Sequence, residues 1–316
     1  MSGDSAPWAP IGLFIYKRPE HARRAILSLQ ACDGFQSGLV HVFADGPKTE
    51  ADGPAVRATR AVARELLGGS AVFVEQERNR GLANSIIAGT TELCDRYGTV
   101  IVVEDDLVLA PLFLRFLNEG LERYRDQPRV MQVSGHMFDV PSFSHQRESL
   151  LLPMTTSWGW ATWKRAWDLF DPLATGWRER LGGDTEAKRF NLDGNYDYLR
   201  MLKRQMNGEI DSWAIRWYYS VFARGGFALF PPRTLVSNMG LDGTGTHGRL
   251  ALPVQQARLE TVAAFDWPVD IAESRQKAQV FDAISTFRPS SVRGRLLALS
   301  KIAFRRLRAI SIAGNR

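Results

Sequence analysis

Glu104, Asp105 and Asp106 follow directly on Val100-Ile101-Val102-Val103, so three carboxylates stand at the end of an apolar, β-branched run. Such a run reads as a strand buried on both faces. Clustered anions repel one another unless a cation or a positively charged ligand shares the site. Carboxylate oxygens suit hard ions such as Mg2+ or Mn2+, and ligands of open α/β sheets bind beyond the carboxyl ends of strands. A triplet standing alone could equally be a solvated acidic turn that closes a strand and opens a helix at Pro111. Its surroundings therefore matter.

The elements that must position these acids come from alternating patterns. Strands are expected at Ile11–Tyr16, Val40–Ala44, Ala71–Val74, Thr99–Val103 and Val130–Val133. Helices are expected from Pro19 to about Ala31, after Asp45-Gly46-Pro47 through Leu67, over Leu82–Tyr97 and from about Pro111 to Arg125. Strands alternating with helices of this length indicate βαβ units and a parallel sheet. Right-handed crossovers then bring all carboxyl ends to one rim. That rim would hold Lys17 and Arg18, Asp45, the Gln76–Arg80 connection with Arg78, and the acidic triplet.

Beyond about residue 140 the texture changes. Trp158, Trp160, Trp163 and Trp167 crowd one segment, and Trp177, Trp213 and Trp217 follow. Helices are expected over Thr185–Met206 and Ser212–Arg224, with a short strand at Phe227–Phe230 closed by Pro231-Pro232. Small residues separate the indoles in Ser157-Trp158-Gly159-Trp160-Ala161-Thr162-Trp163, so the segment is either core or a wall against a planar or sugar-like ligand. Asp211, just before an aromatic helix, either caps it, a role Ser212 could also take, or acts as a carboxylate general base.

Gly243-Thr-Gly245-Thr-His-Gly248 spells a dinucleotide fingerprint by letter, but it comes late and opens no helical pattern. A polar loop that carries His247 over a ligand fits it better. The chain has no P-loop and no nucleophile elbow. His21, His41, His136 and His145 lack zinc-like spacing.

With 316 residues, 45% of them apolar, the chain can bury one large core. It has no run near the roughly 20 apolar residues that span a bilayer. The opening residues lack a signal-peptide pattern, and Cys32 and Cys94 read as reduced thiols, so a cytoplasmic protein is expected. The net charge is +6, but residues 293–316 hold seven basic residues and no acid, which leaves −1 for the rest. A nucleic-acid partner therefore loses its main support. In the tail, Val292, Leu296, Leu299, Ala303, Leu307 and Ile310 form one helical stripe opposite Lys301, Arg305 and Arg308. A helix so patterned is suited to the surface of an anionic membrane, on its inner face for a cytoplasmic protein.

Val102-Val103-Glu104-Asp105-Asp106-Leu107, then Ala110-Pro111 and an aromatic-bearing helix, together with Gly159-Trp160, resemble nucleotide-sugar glycosyltransferases of the GT-A fold. The likeness is to the N-acetylglucosaminyltransferase I family and to bacterial family 2-like sugar transferases, over roughly residues 10–248. It implies an α/β fold with a Rossmann-like, mostly parallel sheet flanked by helices, spanning 1–292 as one domain. Its nucleotide half would be about 10–140 and its acceptor half about 141–250, with the basic amphipathic tail at 293–316. It further implies a metal-dependent inverting transferase that moves a sugar from a nucleoside diphosphate donor, UDP-linked, to a saccharide, in polysaccharide biosynthesis. A lipid-linked acceptor would suit the tail.

Carried over residue by residue, the resemblance makes Asp106 the ligand of Mn2+ or Mg2+, and Glu104 and Asp105 contacts to ribose or donor sugar. Arg18 would lie near nucleobase and phosphates, Asp45 would read the uracil edge, and Arg78 would add a donor contact. His247 would reach metal or diphosphate. Aromatic faces bind the C–H faces of sugars, so Trp158, Trp160 and Trp213 are expected to border the acceptor. The family has two adjacent acids before the Trp, the second thought to be the base. Here the pair is Asp211-Ser212, so either Asp211 takes that role or the base lies elsewhere. A nucleotidyltransferase acting on a sugar phosphate, and a non-catalytic saccharide-binding module, are the competing readings of the same carboxylates.

Overall fold

The computed structural model describes residues 8–240 and 264–285. The first half alternates β1 (Ile11–Ile15), α1 (Pro19–Gln30), β2 (Val40–Ala44), α2 (Gly53–Leu67), β3 (Val72–Glu75), α3 (Leu82–Tyr97) and β4 (Thr99–Glu104). Next come β5 (Leu107–Leu109), α4 (Phe113–Arg123), β6 (Val130–Ser134), β7 (Leu150–Leu152) and β8 (Trp160–Trp163). Helices α5 (Lys164–Trp167), α6 (Trp177–Arg180), α7 (Asp184–Phe190), α8 (Tyr198–Met206) and α9 (Trp213–Ala223) follow. They lead to β9 (Phe227–Phe230), β10 (Val236–Asn238) and α10 (Lys277–Ser285).

Among the described residues eight strands form one sheet in the order β3-β2-β1-β4-β8-β6-β9-β7, and β5 pairs with β10 in a two-stranded sheet. Strands β3, β2, β1 and β4 are mutually parallel, as expected from the alternating pattern. Strand β8 runs antiparallel to both β4 and β6, which returns β6 and its parallel partner β9 to the direction of β4. The carboxyl ends of six strands therefore share a rim with the amino ends of β8 and β7. Helix starts obey local rules: Pro19 opens α1, and α2 carries a proline in its first turn, where the missing N–H costs nothing.

Two expectations are corrected. The single helix over Thr185–Met206 is two helices, because Leu192, Asp193 and Gly194 all take positive φ (53°, 55° and 92°). The break lets Phe190 and Leu192 both enter a second apolar cluster with Tyr218 and Phe281. Asp197 then caps α8 by accepting from Arg200 N–H at 3.2 Å.

The second correction concerns the tryptophan segment. Trp160–Trp163 is not a ligand wall but a fully buried central strand. Trp160 stacks on Trp213 with ring centroids 5.2 Å apart, and both belong to the main core. Neighbouring indoles are satisfied internally: Trp163 donates to Leu121 O at 3.0 Å, Trp167 to Thr91 Oγ1 at 2.9 Å and Trp217 to Gln132 Oε1 at 2.7 Å. All four of its residues are buried, and burial on both faces is what a strand does between two others. Cys32 and Cys94 are buried free thiols, which burial pushes up to about 12.

Trp160→Ala should therefore destabilise the protein by about 3–5 kcal/mol, the range for large aromatic truncations in a packed core. Urea unfolding monitored by circular dichroism measures it, and a loss under about 1 kcal/mol would return Trp160 to a surface role.

Candidate active site

The acidic turn sits where β4 ends. Asp105 Oδ2 accepts from the Tyr16 N–H at 3.0 Å, which ties it to the end of β1. Arg18, which precedes α1, lies with Nη1 3.7 Å from Asp106 Oδ2, the two side chains being 19% and 22% exposed. Behind the turn, β10 pairs with β5, and Met239 N–H donates to Asp106 O at 2.7 Å. A Cβ at Gly240 would collide with the Asp106 carboxylate, so glycine permits this close approach.

Electrostatics follow from that crowding. Burial, then Asp106 and Asp105, hold Glu104 well above the usual carboxylate range. Burial and Asp106 push Asp105 up to about 7, against the Tyr16 N–H and Arg18, which pull it down. A divalent cation relieves this strain directly, and the all-oxygen donor set suits Mn2+ or Mg2+. Among the described residues no group of three or more His, Cys, Asp or Glu side chains could by itself hold a metal. One or two carboxylates completed by phosphate oxygens is the usual arrangement for Mg2+.

Beside the turn, the ends of β1, β2 and β3 are locked together. Tyr16 Oη accepts from Lys48 N–H at 3.1 Å and donates to Asp52 Oδ2 at 3.1 Å, and Lys17 Nζ meets Asp52 Oδ1 at 2.7 Å. Lys17 is the main reason the Asp52 carboxyl is held down at about 2. Asp45 accepts four hydrogen bonds, from Gly46 N–H (2.9 Å), Arg80 N–H (2.8 Å), Gly81 N–H (3.0 Å) and the Asn79 amide (2.8 Å). A carboxylate offers about four lone-pair sites. All of Asp45's are thus engaged within the protein, which corrects its expected contact to a nucleobase. Its task is to hold the connection that carries Arg78.

That connection packs on Gly46, where a Cβ would lie 2.5–2.7 Å from the Arg78 backbone. Arg60 Nη2 closes it from below through Ala44 O, Asp45 O and Gln76 O at 3.3, 3.2 and 2.6 Å. Arg78 itself is exposed at the rim.

The other expected residues are scattered. Trp158, half-buried, stands on the same rim just before β8. Trp160 and Trp213 are buried in the main core. Ser212, not Asp211, caps α9, accepting from Ile215 N–H at 3.4 Å. Asp211 is thereby released from the cap role, and its carboxylate, 64% exposed, pairs with Arg216 at 3.1 Å. His247 and the basic tail lie outside the described residues.

Two rim residues escaped the sequence reading. By pattern Tyr16 reads only as the end of a strand, and His136 lacks zinc-like spacing. The available signal was position, since Ser134-Gly135-His136 follows a strand end as Lys17-Arg18 and Asp45-Gly46 do.

No protein-family model matches the sequence, and no curated protein matches it. Solved structures with a related chain course include the mannosyltransferase PcManGT from Pyrobaculum calidifontis in complex with GDP-Man and Mn2+, at 17% identity and TM-score 0.38. They also include GalNAc-T7 with UDP, GalNAc and Mn2+, at 11% identity and TM-score 0.45. Each comparison covers 72% of this chain, but 56% and 42% of those two, so the chain spans about half their length. Likeness at this level says nothing of what this chain binds.

The raised pKa of Asp105 has a measurable sign. Its folded value of about 7 lies above the ordinary 3.8, so its stabilisation is complete below pH 4 and is lost as pH rises towards 7. His136, pushed down to about 3 by burial, titrates in the opposite sense and masks this in the wild type alone. The melting temperature of wild type minus that of Asp105→Asn should fall by a few degrees between about pH 5 and 7.5, at roughly 2–4 °C per kcal/mol. A flat difference would contradict the raised pKa.

Proposed function

We propose that this chain is a metal-dependent, inverting glycosyltransferase of the GT-A type that moves a sugar from a UDP-linked donor to a saccharide. The observation that carries the reading is the strained carboxylate turn at the end of β4, sharing one rim with Arg18 and the Arg78 connection.

Asp106, with Asp105 beside it, would hold Mn2+ or Mg2+. Bound there, the cation would offset the negative charge that builds on the departing diphosphate. Arg18 adds a planar donor fork for phosphate oxygens, and Arg78 brings a second from the locked connection. Glu104 and the remaining oxygen of Asp105 accept from hydroxyls of ribose or donor sugar. Asp211, oriented by Arg216, takes the proton of the attacking hydroxyl, and attack opposite the leaving group inverts the anomeric carbon. The acceptor is carried on a lipid at the cytoplasmic face of an anionic membrane, which the basic tail engages. Among the described residues no helix is long and apolar enough to cross a membrane.

Asp106→Ala should keep its melting temperature within a few degrees and lose Mn2+-dependent UDP release from UDP-sugars. Asp211→Asn should keep UDP affinity while turnover drops by about 10²–10⁴, the usual worth of a general base. Normal turnover of Asp106→Ala would remove the metal role, and pyrophosphate release from a nucleoside triphosphate would make the chain a nucleotidyltransferase. For the tail, full-length protein should float with anionic liposomes at low salt and lose this on deletion of 293–316; flotation unchanged by the deletion contradicts the membrane role.

A further inference from the structure

On the far side of the acidic turn the rim changes character. Strand β6 ends two residues before His136, and antiparallel β8 begins two residues after Trp158, between β4 and β6. The His136 ring lies 4.5 Å from Trp158 and 5.0 Å from Phe138, centroid to centroid, and all three are only partly buried. Two strand spacings separate the ends of β4 and β6, roughly 10 Å. A ligand reaching along the rim from Asp106 therefore meets Trp158 and then His136.

The tautomer of His136 follows from its neighbour. Thr234 Oγ1 donates its single proton to Val236 O at 2.8 Å and accepts from Val236 N–H at 3.2 Å. Toward His136 Nδ1, 3.2 Å away, it can only accept, so Nδ1 carries the hydrogen. Nε2 is left with a bare lone pair, and none of the hydrogen bonds among the described residues uses it. The backbone that carries the ring is held as well: Ser134 Oγ donates to His136 O at 3.1 Å and also bonds Thr156 Oγ1, while Gln132 holds Thr156 O at 2.8 Å. Burial pushes the imidazole down to about 3, so it is neutral at pH 7 and a poor proton acceptor.

We infer that His136, Trp158 and Thr234 form the acceptor subsite, in which Nε2 accepts a hydrogen bond from a saccharide hydroxyl and the Trp158 face packs on the C–H face of the sugar ring. This rests on the glycosyltransferase reading only in naming the ligand an acceptor; the contact to a saccharide stands on the geometry. A fixed acceptor atom selects a hydroxyl by position, because an analogue lacking it leaves the atom unpaired. His136 thus positions the acceptor, and abstraction of its proton falls to another group.

The test uses full-length protein with UDP and Mn2+, probed by saturation-transfer NMR with the methyl glycosides of glucose, galactose, mannose and N-acetylglucosamine. At least one should receive saturation at its ring C–H protons. His136→Phe, which keeps the aromatic packing, should weaken it roughly tenfold. Trp158→Leu should weaken it at least as much, with the UDP–Mn2+ thermal shift of both variants unchanged. Nitrogen-15 spectra should show His136 as the neutral Nδ1–H tautomer at pH 7. Binding of none of the four, binding that survives both substitutions, or the other tautomer would overturn the subsite. Loss of the UDP–Mn2+ shift in the wild type itself would instead overturn the glycosyltransferase reading.

Discussion

Three carboxylates at the end of one buried strand repel one another, and the rest of the molecule is arranged around that repulsion. Water would ordinarily screen it, but the turn lies between β1 and the two-stranded β5–β10 sheet, where screening is weak. The Tyr16 N–H, the Arg18 guanidinium and partial protonation of Asp105 each relieve a part. Three carboxylates still crowd one turn, and a divalent cation bound there would relieve what remains. A cation together with an anionic diphosphate does this while leaving the overall charge of the cleft low.

The two sides of the rim are built differently for physical reasons. On the β1–β3 side, backbone donors converge on Asp45 and backbone carbonyls on Arg60, which fixes a connection with two arginines in a single shape. Rigid donors suit an anion whose shape does not vary. On the β8–β6 side the rim is aromatic and neutral, with one lone pair held at a set place. That chemistry suits a weakly polar ring with hydroxyls at its edge. Neither side needs the buried tryptophans, which support β8 from within and so keep the two halves in register.

The alternating half was legible because buried parallel strands and amphipathic helices announce themselves by period. Val40–Ala44, Leu82–Tyr97 and Phe227–Phe230 match their elements residue for residue. The tryptophan segment left core and ligand wall open, because Trp160-Ala161-Thr162-Trp163 carries no period-two pattern and bulky aromatics serve either role; its place between β4 and β6 decides for the core. The break at Leu192-Asp193-Gly194 was hidden because a leucine and an aspartate in left-handed conformation carry no composition signal, and burial of Leu192 compensates for it. Among polar residues, the acidic turn and Arg18 could be placed because their strands could. The full engagement of Asp45 and the tautomer of His136 depend on groups 34 to 98 residues away, and spacing along the chain carries no trace of them.

The central claim is that the carboxylate turn binds a divalent cation and a nucleoside diphosphate as one unit. Isothermal titration calorimetry of UDP into the protein, with and without saturating Mn2+, measures that coupling directly, and linkage requires the same factor in both directions. The account predicts that Mn2+ strengthens UDP binding by tenfold or more and that UDP strengthens Mn2+ binding equally. UDP affinity that ignores Mn2+, or Mn2+ binding that ignores UDP, would contradict it.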